Sequence, residues 1–594
     1  QIRYKNSRLE TWLIGLNVSV AVLVVATFVT LFGFAEPLLP ERWLYALQVV
    51  LLAFFVIEKL LRTFNAESKA EYWHVNWFEV FLLGLLGLVA VSQEGWSEWA
   101  DSEHVWHFAV GLYLVFQVVI KVCRSTVRLV SLGRNPTRML IASFLVLIFA
   151  GAGLLCLPKA ATGVPLSFVD ALFTATSATC VTGLVVKDTG SDFTLMGQIV
   201  ILTLIQLGGL GIVIFGAVFA LLLRQALTVR ESAAMQDLLS ANTLTSIGNI
   251  IGFIFAFTLI IEALGTVALL PLWRHDPNWT GTVIQQRWFY SLFHSISAFC
   301  NAGFGLYSDS LERFQYRSGV YLVIAPLIVL GGLGFSVLYN LFNVLADRIK
   351  RSCIWFRFKH VRLAMALPKR ITLQTKIVLS TSLVLILIGT VSIYSFDALT
   401  GSPDRLHSAS WGAAFFQSVS ARTAGFNTVP IDELAPTAQL CLIVLMFIGG
   451  SPGSAAGGIK TVTLAVIVMA LITTLRKRGE VEVFRRSIST SVVGRALTVT
   501  LLFVAATLVA TLLLSVTECS HHIPLSDLLF EVTSALATVG LSTGVTATLT
   551  ALGKIIIILM MLIGRLGPLT LLAAMTFDIK PARYNFPQEP VMVG

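Results

Sequence analysis

The chain has 594 residues, 56% hydrophobic and only 12% charged, with 42 lysines and arginines against 32 acids for a formal charge of +10. A mean hydropathy of +0.83, with a charged share about half that of ordinary soluble domains, excludes a soluble globular fold. The basic residues lie in short stretches between apolar runs, not in one stripe; that is how membrane topology is written, and no nucleic acid is expected as a partner.

Taken in chain order, apolar spans come first at about 11–34, 43–62, 77–94 and 105–122, each long enough to cross about 30 Å of hydrocarbon as helix. No cleavable signal peptide is expected. The second and third spans look like those of a voltage-sensor-type domain, with Glu58 near a helix end and Asn76-Trp77-Phe78-Glu79 after the loop. The fourth departs from that pattern: 105–120 carries no arginine or lysine, and Lys121, Arg124 and Arg128 stand at its end. Gating charge is worth about 2.3 kcal/mol per charge per 100 mV. Residues 1–130 are therefore expected to be a degenerate, four-helix membrane domain used for packing or assembly.

A pattern then occurs four times: Phe-x-x-x-Ser-Ala, a few residues, then glycine. The copies are Phe173, Ser177, Ala178, Gly183; Phe293, Ser297, Ala298, Gly303; Phe416, Ser420, Ala421, Gly425; and Phe530, Ser534, Ala535, Gly540. The glycines are 120, 122 and 115 residues apart. Each copy lies between two apolar helices. The first helices are expected at 137–157, 247–271, 374–396 and 495–516, and the second at 196–223, 318–346, 438–474 and 550–576. The fold class that follows is an all-α polytopic membrane protein: four pseudo-repeats of helix, re-entrant pore helix and helix around a central pore, plus the N-terminal helices. The repeats divide as 131–240, 241–370, 371–490 and 491–594.

Arg134 and Arg138, the basic connector 347–370 and the basic connector 475–490 all precede a first helix. They are expected to face the cytoplasm, which puts both termini there and the acidic loop Glu94–Glu103 outside. Each segment before a repeated glycine runs about 10 to 14 residues, too short to span. A half-helix that ends at mid-membrane leaves carbonyls unpaired and partial negative charge at its C-terminus, an arrangement suited to a cation. The turns are Val181-Thr182-Gly183, Asn301-Ala302-Gly303, Thr423-Ala424-Gly425 and Thr538-Val539-Gly540. Carbonyls from such turns replace an ion's hydration shell. Glycine suits them because it reaches φ > 0 without Cβ strain.

The helix after Gly425 is interrupted by Gly449-Gly450-Ser451-Pro452-Gly453-Ser454-Ala455-Ala456-Gly457-Gly458. Glycine costs about 1 kcal/mol against alanine in a helix and proline about 3, so regular helix is not expected across 449–458. Arg565 lies inside an apolar helix and is expected to face protein or water, pairing with carbonyls or hydroxyls of this loop. Three residues before the repeated serines stand Thr174, His294, Gln417 and Glu531. Glu531 is expected to anchor its re-entrant helix or attract cations, and His294 to be a packed hydrogen-bonding residue. Glu262 is the candidate carboxylate if transport is coupled. Seven scattered cysteines without a CxxC pair are expected to be reduced. Gly208-Gly209-Leu210-Gly211 sits in an apolar helix and is no dinucleotide fingerprint, and there is no P-loop run or nucleophile triad, so the chain is not expected to be an enzyme.

The runs CVTGL (180–184), CNAGF (300–304), RTAGFNT (422–428) and ATVGLSTG (537–544) resemble the filter loops of the Trk/Ktr/HKT cation transporter superfamily. The runs GGSPGSAAGGIKT (449–461) and IGRLGPLTL (563–571), with the tail 584–594, are most like its KtrB membrane subunit. The N-terminal helices lie outside that pattern. The resemblance implies channel-like potassium uptake across a bacterial cytoplasmic membrane, with Gly183, Gly303, Gly425 and Gly540 together going with potassium selectivity. It implies 449–458 and Arg565 as the gate, a homodimer, and a cytosolic KtrA-like ring that carries the nucleotide. No covalent cofactor is implied; potassium is the substrate, with sodium as activator or coupling ion. The alternative is symport of potassium with sodium or protons.

Overall fold

The structure is a computed structural model that describes residues 5–34, 39–76, 82–84, 86, 106–107, 110–111, 113–114, 117, 136–211, 247–275, 284–357, 369–400, 410–478 and 480–568. The third and fourth N-terminal spans fall largely outside these residues. So do Glu94–Glu103, the cations Lys121, Arg124, Arg128 and Arg134, and the tail 584–594.

The N-terminal region contributes α1 (Ser7–Phe32), α2 (Glu41–Asn65) and the short α3 (Lys69–Val75). Asn6 caps α1 by accepting from Arg8 N and Leu9 N. Its own N–H donates to Asn65 Oδ1 at 2.9 Å, tying the start of α1 to the end of α2. Glu58 is buried between Asn17 Nδ2 at 2.7 Å and Arg62 Nε at 3.0 Å. Its charge is thus balanced one helical turn away.

The rest of the described chain falls into similar units. The first holds α4 (Pro136–Leu155), α5 (Phe168–Cys180) and α6 (Leu195–Leu210). The second holds α7 (Ile247–Leu269), α8 (Ile284–Cys300), α9 (Ala325–Leu333, preceded by a π-helical turn, Val320–Ile324) and α10 (Phe335–Arg357). The third holds α11 (Leu373–Thr400), α12 (Trp411–Ser420), α13 (Pro436–Phe447) and α14 (Thr461–Leu475). The last holds α15 (Thr490–Thr517), α16 (Leu525–Ala537) and α17 (Ala551–Leu566). Among the described residues α1, α2, α7, α11 and α15 are long and apolar enough to cross a membrane. Caps set the short helices: Ser167 accepts from Asp170 N at the start of α5, and Ser410 from Ala413 N at the start of α12.

Apolar packing joins each unit to the next. Ala171, Ala175 and Ile201 pack with Phe293, Cys300 and Phe304. Leu327 and Ile328 pack with Phe416, Ala424 and Phe426. Ala413, Leu442 and Met446 pack with Phe530, Val539 and Leu541. Leu528, Val532 and Ile557 pack with Ile148, Phe173 and Leu184, which returns to the first unit. Lys554 Nζ and Asp170 Oδ1, 2.7 Å apart, add an ion pair across that last junction. Asp170 is held below its ordinary carboxylate range: the hydrogen bonds and charge of Lys554, with Ser167, outweigh burial.

Two expectations need correction. The second helices of the units are not continuous. α6 stops at Gly211 (φ +84), α9 at Gly334 (φ +87) and α17 at Gly567 (φ +82). The segments Val320–Leu333 and Phe335–Arg351 meet at a bend of 101°, and α10 then stays helical to Arg357, inside what reads as connector. Apolar composition continues through these breaks, so hydropathy alone cannot see them; left-handed glycine ends a helix regardless of its neighbours' polarity. The connector 475–490 holds a β-hairpin, β1 (Val481–Val483) with β2 (Arg486–Ile488). Val481 and Val483 turn inward onto Ile377 beside Ala465 and Met469 while Glu482 faces solvent, the period-two pattern of a half-buried strand.

Candidate functional site: a ring of glycine turns

The pore helices α5, α8, α12 and α16 deliver their C-terminal turns to one place. The backbone leaves each helix through a left-handed residue: Val181 (φ +59), Asn301 (φ +58), Thr423 (φ +73) and Thr538 (φ +51). Three of these are β-branched, where left-handed backbone costs about 1–3 kcal/mol apiece. N–H groups of the turns point back into the helix ends. Thr182 N donates to Ser177 O, Ala302 N to Ser297 O, Ala424 N to Ser420 O and Val539 N to Ser534 O, at 2.7–2.8 Å. Gly183, Gly303, Gly425 and Gly540 follow at φ between +70 and +96.

These glycines close a ring. A Cβ on Gly183 would lie 2.5 Å from Ala302 O; on Gly303, 2.8 Å from Ala424 O; on Gly425, 2.5 Å from Val539 O; and on Gly540, 2.2 Å from Thr182 O. Each glycine thus abuts the filter carbonyl of the next unit, and the last returns to the first. Among the described residues, none of the carbonyls of the tripeptides 181–183, 301–303, 423–425 and 538–540 accepts a hydrogen bond. Buried carbonyls are nearly always paired. A converging set left open has the chemistry to take a cation.

The repeated serines explain how the ring is held. Ser177 Oγ accepts from Gly183 N, and Ser534 Oγ from Gly540 N, both at 3.1 Å. Ser297 Oγ donates to Phe304 O at 2.8 Å, and Ser420 Oγ donates to Phe426 O. Every copy ties its pore helix to the glycine of its own turn or to the residue just after it. The residues three positions earlier do similar work in two units. Glu531 accepts from Ser542 Oγ at 2.5 Å, Thr543 N at 3.1 Å and Thr546 Oγ1 at 2.6 Å. His294 Nδ1 lies 2.8 Å from Tyr290 O, and its Nε2 accepts from Leu306 N at 3.4 Å. The Asn301 amide, oriented to donate, reaches Ile328 O at 3.1 Å and Ala298 O at 3.0 Å. Glu262 is buried behind α8, where its Oε2 accepts from Gln206 Nε2 at 3.1 Å. Among the described residues no cluster of histidine, cysteine and acidic side chains could hold a metal ion.

The loop 449–458 lies against this ring from one side. A Cβ on Gly457 would strike Thr538 Oγ1, at 2.1 Å. The loop's base is pinned by Gly449 N to Ile459 O at 2.9 Å and Ile459 N to Phe447 O at 3.2 Å. Its flanks touch the break in the second unit, with Ser451 N donating to Gly332 O and Phe335 N to Gly453 O, both at 3.0 Å. Arg565 donates from Nη1 to Ala455 O and from Nη2 to Gly208 O, so one guanidinium clamps the loop to the end of α6.

A second repeat, not picked out from the sequence, underlies these contacts. Gly208-Gly209-Leu210-Gly211, Gly331-Gly332-Leu333-Gly334 and Gly564-Arg565-Leu566-Gly567 stand at similar distances after their filter glycines. A Cβ on their first glycines would lie 2.0 Å from Thr179 O, 1.9 Å from Phe299 O and 1.9 Å from Leu536 O. The first glycine therefore lets each second helix touch the end of its pore helix before it breaks. Gly449 opens the corresponding stretch of the third unit, where the loop replaces the motif, and Arg565 takes the place of Gly209 and Gly332.

The TrkH family model, described as a cation transport protein, matches residues 124–583. The chain is 39% identical to the Ktr system potassium uptake protein B of Vibrio alginolyticus over 78% of its own length and 95% of the relative's. It is 36% identical to the protein of that name from Bacillus subtilis, over 77% and 97%, and 33% identical to the potassium/sodium uptake protein NtpJ of Enterococcus hirae, over 77% and 97%. The solved structure of the potassium transporter TrkH from Vibrio parahaemolyticus superposes with a TM-score of 0.57 at 17% identity, covering 84% of this chain and 98% of that one, a likeness of fold. A multi-pass membrane chain with no enzyme chemistry, it belongs to the Ktr/Trk family of cation transport proteins.

Proposed function

We propose that the chain conducts potassium through the ring formed by Val181, Thr182, Gly183, Asn301, Ala302, Gly303, Thr423, Ala424, Gly425, Thr538, Val539 and Gly540. The observation that carries this reading is the closed contact of the four filter glycines, each against a neighbour's carbonyl, around oxygens that accept no hydrogen bond among the described residues. Such oxygens replace the water of a bare cation. The pore-helix C-termini add partial negative charge at the same point. The relatives named for potassium uptake support potassium as the ion.

The loop 449–458 is the gate, and Arg565 is its latch. The loop touches the inner end of the filter at Thr538, and the guanidinium holds it there through Ala455 O and Gly208 O. The side bearing the loop, the hairpin 481–488 and the basic connectors is cytoplasmic. Both termini lie there, and the membrane is the bacterial cytoplasmic one. The working unit is a homodimer on a cytosolic nucleotide-binding ring that contacts the basic connectors. The N-terminal helices serve packing or assembly.

Purified protein in vesicles tests this. Rubidium and potassium enter and sodium is largely excluded, and the reversal potential follows potassium alone. Rapid sodium entry with potassium excluded overturns the selectivity. A reversal potential that moves with the sodium or proton gradient transfers the reading to symport, with Glu262 as the coupling carboxylate.

A further inference from the structure

The residue just before each filter tripeptide is Cys180, Cys300, Arg422 or Ala537. Only the third unit places a permanent charge there. Arg422 is 8% exposed. Its Nη1 donates to Ser382 O at 3.3 Å and its Nη2 to Ser382 Oγ at 3.1 Å, both on α11. Its Nε has no partner, and among the described residues no carboxylate balances its charge. In the second unit, Cys300 instead has Glu262 Oε1 at 4.0 Å and Gln206 Oε1 at 3.6 Å. Equivalent places behind the filter thus carry opposite chemistry.

Burying a cation without a counter-ion is costly, and a neutral side chain of that size would fit more easily. Two features offset part of the cost. Arg422 follows the C-terminal, negative end of α12, its backbone N donating to Val419 O at 3.3 Å. Its fork also matches the two oxygens of Ser382. A filter must hold its ion firmly enough to dehydrate it and loosely enough to release it. A fixed positive charge one residue from Thr423 acts on the second requirement.

We propose that Arg422 is a positioning residue that sets how tightly the inner end of the filter holds potassium: its fork fastens the third filter strand to α11, and its charge weakens the inner site so that the ion moves on towards the loop. The proposal rests on the filter reading given above.

The test uses the full chain in vesicles with the unaltered protein beside Arg422→Met, Arg422→Lys and Ser382→Ala. Arg422→Met removes the charge at similar bulk. Its half-saturating potassium concentration is expected to fall about tenfold, with a lower maximal rate because the ion is retained. Arg422→Lys keeps the charge and loses the fork, so half-saturation stays and the ratio of sodium to potassium uptake rises. Ser382→Ala raises that ratio in the same way. The proposal is overturned if Arg422→Met keeps both half-saturation and maximal rate within about twofold of the unaltered protein. If Arg422→Met does not fold, unchanged sodium-to-potassium ratios in both Arg422→Lys and Ser382→Ala overturn it. Absence of potassium flux through the unaltered protein defeats the filter reading itself, whereas normal flux with unmoved variants defeats only the role of Arg422.

Discussion

The ring of turns and the loop proposed as the gate both depend on glycine, yet Gly453 of the loop serves a different end from the glycines of the ring. In the ring, every glycine presses on backbone of the neighbouring unit, and any Cβ would collide with a carbonyl of that unit's tripeptide. In the loop, Gly453 (φ +71) has nothing closer to its Cβ position than Ser336 Oγ at 3.9 Å. The rest of the loop is packed, with Gly449 against Gly457 O and Gly457 against Thr538 Oγ1, and it is fastened by hydrogen bonds to α9, α10 and α17. The ring is over-determined and therefore rigid. The loop is open at Gly453 alone, and that is where it has room to move.

The largest expected effect breaks the ring directly. Gly540→Ala puts a methyl 2.2 Å from Thr182 O at a left-handed position. Neither backbone can give way without moving a filter carbonyl. Rubidium uptake should fall at least about a hundredfold, some 2.7 kcal/mol. Gly453→Ala meets the same left-handed strain, about 1 kcal/mol, but no collision, and should keep flux within a few-fold. Equal losses in the two variants would erase the contrast between ring and loop.

Next comes the latch. Arg565→Ala removes both bonds to Ala455 O and Gly208 O. Hydrogen bonds to charged groups contribute about 1.5–3 kcal/mol each, so basal flux without a regulatory partner should rise tenfold or more on that scale. Flux unchanged in rate and selectivity would remove Arg565 from the gate. A smaller effect is expected from Ser534→Ala or Ser177→Ala, which leave Gly540 N or Gly183 N buried without an acceptor. The cost is about 1–3 kcal/mol, shared between stability and geometry. Discrimination of potassium over sodium should drop severalfold while the protein still folds, as read from paired rubidium and sodium uptake.

What could be read from the sequence follows the same division. The glycine turns were legible because a short helix and the glycine after it are local: Ser534, Ala535 and Gly540 stand close together in the chain, and the spacing recurs. Residue patterns gave the non-spanning helices and the interruption at 449–458. Potassium and the gate came from family resemblance. The left-handed first residues were not legible, because Val181 and Thr538 are types that avoid that conformation and hold it through their own bonds to Ala178 O and Ala535 O and those of Thr182 N and Val539 N. The breaks at Gly211, Gly334 and Gly567 were hidden by apolar runs that continue across them, although the recurring glycine-x-leucine-glycine was there to be seen. The hairpin was masked by its arginines; alternation in Val481-Glu482-Val483 was the available signal. Arg422 stands in the run RTAGFNT and gave no hint that its guanidinium would reach Ser382 on another helix.

The smallest effect lies at the outer mouth and tests whether the ring's rigidity extends beyond the filter. Leu311 N donates to Asn427 O at 3.0 Å, and Asn427 Nδ2 donates to Glu312 Oε1 at 2.7 Å. These bonds join the segments that follow the second and third filter turns. The Glu312 carboxyl is pushed up to about 7, first by burial, then by the carboxylates of Asp309, Asp432 and Glu433, against the pull of the Asn427 bond. Arg313 Nε pairs with the neighbouring Asp309 at 2.8 Å. A raised carboxyl favours the protonated form in the folded protein. Its stabilising contribution is complete below the ordinary value of 4.5 and is lost as pH rises through about 7. Over that upper range the mouth gains negative charge, which draws cations toward the filter. Uptake at low ionic strength should therefore rise by less than about threefold as outside pH goes from roughly 6 to 8, and Glu312→Gln should flatten the rise. The same profile in Glu312→Gln would assign the titration to another group. A profile that steepens as salt is lowered would mark long-range attraction, whereas insensitivity to salt would mean that protonation acts through the Asn427 bond and shifts the filter strands themselves.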